Sequence, residues 1–191
     1  AHVEKQPARQ LGALCALARV GTSTDASEVL ATLLKHPFTS FPENRHVDHL
    51  RIAELLLVRH PSMNTLDSRI AEYYAPHFPS GNPAVTRQMA RVLAGTHQPR
   101  IPALLLHELL NAPSQEEALT YALCLSESSA GMTQKNKLRF FAWLTQAERL
   151  EGGKSLVGFI AAIRRRTLEH TPSSERPALE ARPAPITTAA Q

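Results

Sequence analysis

Apolar side chains recur along this chain at intervals of three and four residues, and nowhere does the sequence alternate with the period of two that marks a half-buried strand. The spacing predicts nine helices. The first covers about residues 7–20, with Leu11, Leu14, Cys15 and Ala18 on one face and Gly21 closing it. Asp25 is placed to cap a second, striped by Ala26, Val29, Leu30, Leu33 and Leu34. Pro37 and Pro42 enforce a loop. A third helix begins at Asn44 or Asp48, carries Leu50, Ala53, Leu56 and Leu57, and ends before Pro61. Asn64 caps a fourth, with Leu66, Ile70, Tyr73 and His77 along one side.

The second half continues the pattern. Asn82 and Pro83 read as a cap followed by a proline at the first helical position, with Val85, Met89 and Val92 as the stripe and Gly95 as the stop. Pro99 and Pro102 open a helix bearing Leu105 and Leu109. Ser114 and Glu117 match a capping box ahead of Leu119, Ala122 and Leu125. Thr133 caps a helix dense in Leu138, Phe140, Phe141, Trp143 and Leu144. After Gly152 and Gly153, Ser155 caps the last long helix, whose inward face is Leu156, Phe159, Ile160 and Ile163.

Helices of this length joined by short connections pack antiparallel to their neighbours. Pairs repeating every ~40 residues predict an all-α, HEAT/armadillo-like right-handed α-solenoid of antiparallel helix pairs. A non-repeating helical bundle is the alternative. The repeat domain is expected over residues 1–171. Residues 172–191, with Pro172, Pro177, Pro183 and Pro185 among small and polar neighbours, read as a linker-like tail. The start at Ala1, without a signal pattern, suggests a removed leader or a domain boundary.

Composition sharpens this picture in three ways. Aromatic residues are only 5% of the chain, and Leu and Ala dominate instead, which favours helix packing over sheet packing. No apolar run reaches the roughly 18 residues that a membrane span requires. The net charge of +4 is unevenly spread: residues 131–170 hold eight basic and three acidic side chains. A basic end fits an anionic partner or an acidic neighbouring domain, or else a solvated helix face.

Several motifs suggest chemistry and fall short of it. Gly152-Gly153-Lys154-Ser155 evokes a phosphate loop, but Glu148 stands where the pattern needs glycine and no strand precedes it. His107 and Glu108 would need a second histidine at position 111 for a zinc-protease helix, and that residue is Asn111. His46 and His49, with Asp48 between them, are weak metal-ligand candidates at a three-residue spacing. Cys15 and Cys124 lie in apolar helical contexts and read as free buried thiols. No catalytic residue and no cofactor are assigned. The aromatic run around Trp143 reads as a helix buried on most sides, or alternatively as a binding platform.

The second half nonetheless resembles a known module. The segments Tyr121-Ala122-Leu123-Cys124-Leu125, Gly131-Met132-Thr133, Arg139-Phe140-Phe141-Ala142-Trp143, Gly152-Gly153-Lys154-Ser155, Gly158-Phe159 and Ile163-Arg164-Arg165 carry the likeness. They are similar to the HEAT-like helical segment of large exported bacterial multidomain proteins. In those proteins it lies between a membrane-bound dehydrogenase-like β-propeller and a C-terminal c-type cytochrome domain. The match spans about residues 74–179. Met132 stands where the family pattern has Trp. The family's haem ligands and propeller residues have no counterpart here, so none is carried over.

The resemblance implies an extracytoplasmic, redox-active parent in which this segment is a non-catalytic scaffold or docking module. Its partners would be neighbouring domains of the same chain or another protein. Tyr121, Phe141, Trp143, Gly152, Gly153, Ser155, Gly158, Phe159, Arg164 and Arg165 are the residues expected to matter for structure or contact. Two glycines would allow a tight turn, and Gly158 would permit close helix approach. A nucleic-acid-binding array using the basic C-terminal end is the alternative, and a hidden metal enzyme around His46 and His49 the third reading.

Overall fold

The computed structural model describes residues 7–61 and 63–181, and among these every regular element is helical. The chain divides into two compact units, Ala1–Gln98 and Pro99–Gln191.

In the first unit, α1 (Pro7–Val20), α2 (Ser23–Leu33), α3 (Glu43–Arg59), α4 (Asn64–Tyr74) and α5 (Pro83–Gly95) follow one another, with 3-10 turns at Phe38–Ser40 and Ala75–His77. Helix α3 packs on both α1 and α5, while α2 and α4 pack on the helices adjacent to them in sequence. The reason is a wide apolar stripe on α3. Leu50, Ile52, Ala53 and Leu56 are all fully buried, while the side chains of Arg45, Asp48 and Arg51 stay about half-exposed. Fully burying one such leucine contributes about 1.5–3 kcal/mol.

The caps are local chemistry. Thr22 accepts from the amide of Asp25, whose carboxylate returns to the Thr22 amide at 2.7 Å, so both ends of a capping box are closed. Asp25 is therefore the third residue of that box rather than the cap. Hydrogen bonds from Thr22 also hold its carboxyl below the usual range. Asn82 accepts from the amides of Ala84 and Val85 ahead of Pro83, as the sequence predicts. At Asn64 the structure differs: the residue is already helical, and Met63 precedes it without a side-chain cap. Gly95 ends α5, but the left-handed residue is His97, at a φ of 51°.

The second unit holds α6 (Ile101–Leu110), α7 (Gln115–Ser128), a 3-10 turn at Ser129–Gly131, α8 (Gln134–Ala147), α9 (Lys154–Glu169) and α10 (Arg176–Glu180). Helix α6 packs on α7 and α8, α9 on α7 and α8, and α10 on α8. Ser114 and Thr133 cap α7 and α8 through the amides of Glu117 and Asn136. Tyr121, Phe140, Phe141 and Leu144 form the centre.

Helix α10 corrects the reading of residues 172–191 as linker for the first ten of them. Leu179 is fully buried, and Glu175 reaches the buried ammonium of Lys137 at 2.9 Å. Proline-rich composition conceals this because the anchoring contacts are tertiary. Pro183 and Pro185 lie outside the described residues.

Candidate functional site

Two places gather chemistry-bearing side chains, one in each unit. In the first unit, His49 on α3 is completely buried and hydrogen-bonded at both ring nitrogens. Its Nε2 lies 3.1 Å from the Leu33 carbonyl oxygen, and its Nδ1 lies 2.6 Å from the Tyr74 hydroxyl. A carbonyl only accepts, so Nε2 carries the proton and Nδ1 accepts from Tyr74. Burial lowers the His49 pKa from 6.5 to about 4, opposed by the bond to Leu33 and helped by the nearby His46 ring. Burial likewise raises the Tyr74 hydroxyl well above its ordinary value, and pushes Tyr73 up to about 12.

Aromatic rings surround this pair. Phe38, from the 3-10 turn, stacks on His46 at 4.2 Å and meets His49 and Tyr74 edge-on; Phe41 covers His49 at 4.7 Å. His46 Nε2 donates to the Phe41 carbonyl at 3.0 Å. Both His49 nitrogens and Nε2 of His46 are thus engaged in holding α2, α4 and the Phe41 carbonyl in place. Among the described residues no cluster of three or more His, Cys, Asp or Glu is placed to hold a metal. Neither cysteine is in a disulfide; Cys124 is buried and Cys15 half-buried.

In the second unit, the residues singled out from the sequence separate into two groups. Tyr121 and Phe141 are core, and burial, reinforced by Glu117, pushes the Tyr121 hydroxyl up to about 12. Arg164 bridges α9 to α8: it reaches Glu148 at 3.0 Å and Thr145 at 3.3 Å, and lies over the Phe141 ring at 5.3 Å. Arg165 is exposed, 3.8 Å from Glu169 one turn on. Phe159 is half-buried rather than fully inward.

The glycines behave differently from expectation. Gly153, in extended backbone, occupies the cap position of α9, and Ser155 is an exposed first-turn residue, not the cap. Among the described residues no glycine takes a positive φ, so the turn does not rest on left-handed backbone. Gly152 instead leaves room for Leu156, whose Cδ2 would lie 2.5 Å from an added Cβ. Gly158 is exposed with nothing within 4 Å of an added Cβ, so it serves no close helix approach.

Trp143 also departs from the core reading: its ring is half-buried. The reason is its position on α8, where Phe140, Phe141 and Leu144 take the inward directions and Trp143 lies at the margin, one turn from exposed Arg139 and buried Ala147. Together with the end of α6 and the start of α7, Arg139, Trp143, Ala147 and Leu150 border a cavity of about 580 Å³. Leu109, Leu110 and Ala118 supply further apolar wall, and His107, Asn111 and Gln115 add polar groups to the lining. Arg139 and Trp143 are one helical turn apart in the sequence, whereas the α6–α7 corner beside them depends on tertiary packing.

The basic end is partly neutralised within the fold. Lys137 pairs with Glu175, Arg164 with Glu148, and Arg166 with Glu127 at 3.1 Å. No helix of the described residues is long and apolar enough to cross a membrane. The chain matches no family model, no curated protein and no solved structure.

Proposed function

We propose that this chain is a non-catalytic helical-repeat scaffold, a spacer or docking module in a larger exported, redox-active protein. The observation that carries the reading is the order of packing. Within each unit, the principal contacts of a helix are with its sequence neighbours and next-but-one neighbours, as α1, α3 and α5 do in the first unit and α6 with α8 and α7 with α9 in the second. Stacking of that kind is how HEAT-type pairs bury their faces. The right-handed solenoid of antiparallel pairs belongs to this proposal.

Buried chemistry supports the same reading. His49 and Tyr74 are both fully buried and committed to holding helices together. No buried side-chain nitrogen or oxygen among the described residues lacks a partner. The redox parent rests on the likeness of the segments from Tyr121 to Arg165.

The test is to isolate, from its native source, the whole polypeptide that carries this chain and to record its visible spectrum oxidised and reduced. Covalent haem bands that sharpen on reduction are expected. A featureless spectrum would overturn the redox parent and leave a helical docking domain.

A further inference from the structure

We infer that the cavity beside Trp143 is a binding site for an organic monocarboxylate, with its apolar body against the indole and its carboxylate on Arg139. This goes beyond the scaffold reading and does not depend on it.

Four observations converge. The cavity, at about 580 Å³, falls within the roughly 300–1,000 Å³ of small-ligand sites. Its walls come from one unit and are backed by buried Leu109, Ala118 and Ala147, so the shape exists without a ligand. Trp143 and Leu150, both half-buried, offer flat and branched apolar surface that water covers poorly.

The fourth observation is charge. None of the residues lining the cavity is acidic, and Arg139 is exposed at its edge. Among the described residues Arg139 has no carboxylate within ion-pair distance, whereas Arg164 and Arg166 each have one. Two of the lining amides each donate to a backbone carbonyl: Asn111 to His107 at 2.8 Å and Gln115 to Glu151 at 3.0 Å. The Arg139 guanidinium, a planar fork that fits a carboxylate with two parallel hydrogen bonds, is the permanent positive charge among the lining residues. One positive charge beside an apolar wall selects a single negative charge on an apolar body.

Trp143 is the sole tryptophan of the chain, so intrinsic fluorescence reports on this cavity alone. Octanoate, which does not absorb with the indole, is titrated into the full chain, with octylammonium as the charge-reversed control. The expected result is a saturable change with a Kd below about 1 mM for octanoate and none for octylammonium. Arg139→Gln should weaken octanoate at least about tenfold, and exposed Lys135→Gln, outside the cavity, less than about twofold. Circular dichroism confirms that both variants stay folded. A change that never saturates, an equal response to octylammonium, or unaltered affinity in Arg139→Gln each overturns the proposal.

Discussion

The Tyr74 hydroxyl donates to Nδ1 of His49 across 2.6 Å, tying α4 to α3 in a place fully shut off from water. With Nε2 on the Leu33 carbonyl, the imidazole is fixed as one neutral tautomer. Tyr74→Phe keeps the ring and removes the donor, leaving Nδ1 buried and unpaired. The expected cost is about 1–3 kcal/mol in urea unfolding. A loss under about 0.5 kcal/mol would mean that water reaches the nitrogen.

The same pair sets a pH dependence. The pKa of His49 is about 4 in the fold against an ordinary 6.5, so between those values the unfolded chain binds more protons. Stability from this group is complete above about pH 6.5 and falls as the pH drops toward 4, by up to about 3 kcal/mol. Urea unfolding of the native chain and of His49→Gln at neutral pH and near pH 4.5 checks this. The gap between them should shrink by about 2 kcal/mol in acid. A gap independent of pH would contradict the assignment.

Lys137 and Glu175 carry a third test. Lys137 has 4% of its side chain exposed and Glu175 28%, so removing the carboxylate strands a buried ammonium. Glu175→Gln should cost about 2–3 kcal/mol, less than for a fully buried pair because Glu175 is partly hydrated. Lys137→Met combined with Glu175→Leu should lie closer to the native stability than Glu175→Gln alone. The reverse order would show that the pair contributes more than its own desolvation cost.

Phe141 and Trp143 sit two residues apart on α8 and should respond unequally. Phe141 is fully buried under Arg164, and Phe141→Ala should cost about 3–5 kcal/mol. Trp143→Ala, at the half-open cavity, should cost about 1–2 kcal/mol. Comparable losses in denaturant unfolding would place the indole in the core.

Gly158 offers a gain. It lies exposed inside α9 with open space where an alanine Cβ would sit, so alanine lowers the entropy of the unfolded chain and meets no clash. Gly158→Ala should add about 0.5–1 kcal/mol and raise the Tm. A loss would reveal a close approach at that position.

What the sequence made legible was local. The caps at Asn82, Ser114 and Thr133 each depend on an oxygen reaching an amide two or three residues on, so a short window holds the whole cause. The apolar stripes of α3 and α5 were legible for the same reason. Tyr74 and His49 are 25 residues apart, and Lys137 and Glu175 are 38, so their pairing depends on how helices pack. Helix α10 stayed hidden because a few anchors, Leu179 and Glu175, outweigh a composition typical of linkers. The outward place of Trp143 is not legible in the sequence, because an aromatic run fills the helix circumference and only the neighbouring helices decide which ring faces out.

Native-state hydrogen exchange across a range of denaturant is the most direct test of the helical-repeat account. Stacked pairs should open locally, with protection graded along each unit and different opening free energies for different helix pairs. If instead all protected amides of a unit share one opening free energy and one steep denaturant dependence, each unit is a single-core bundle and the repeat scaffold is wrong.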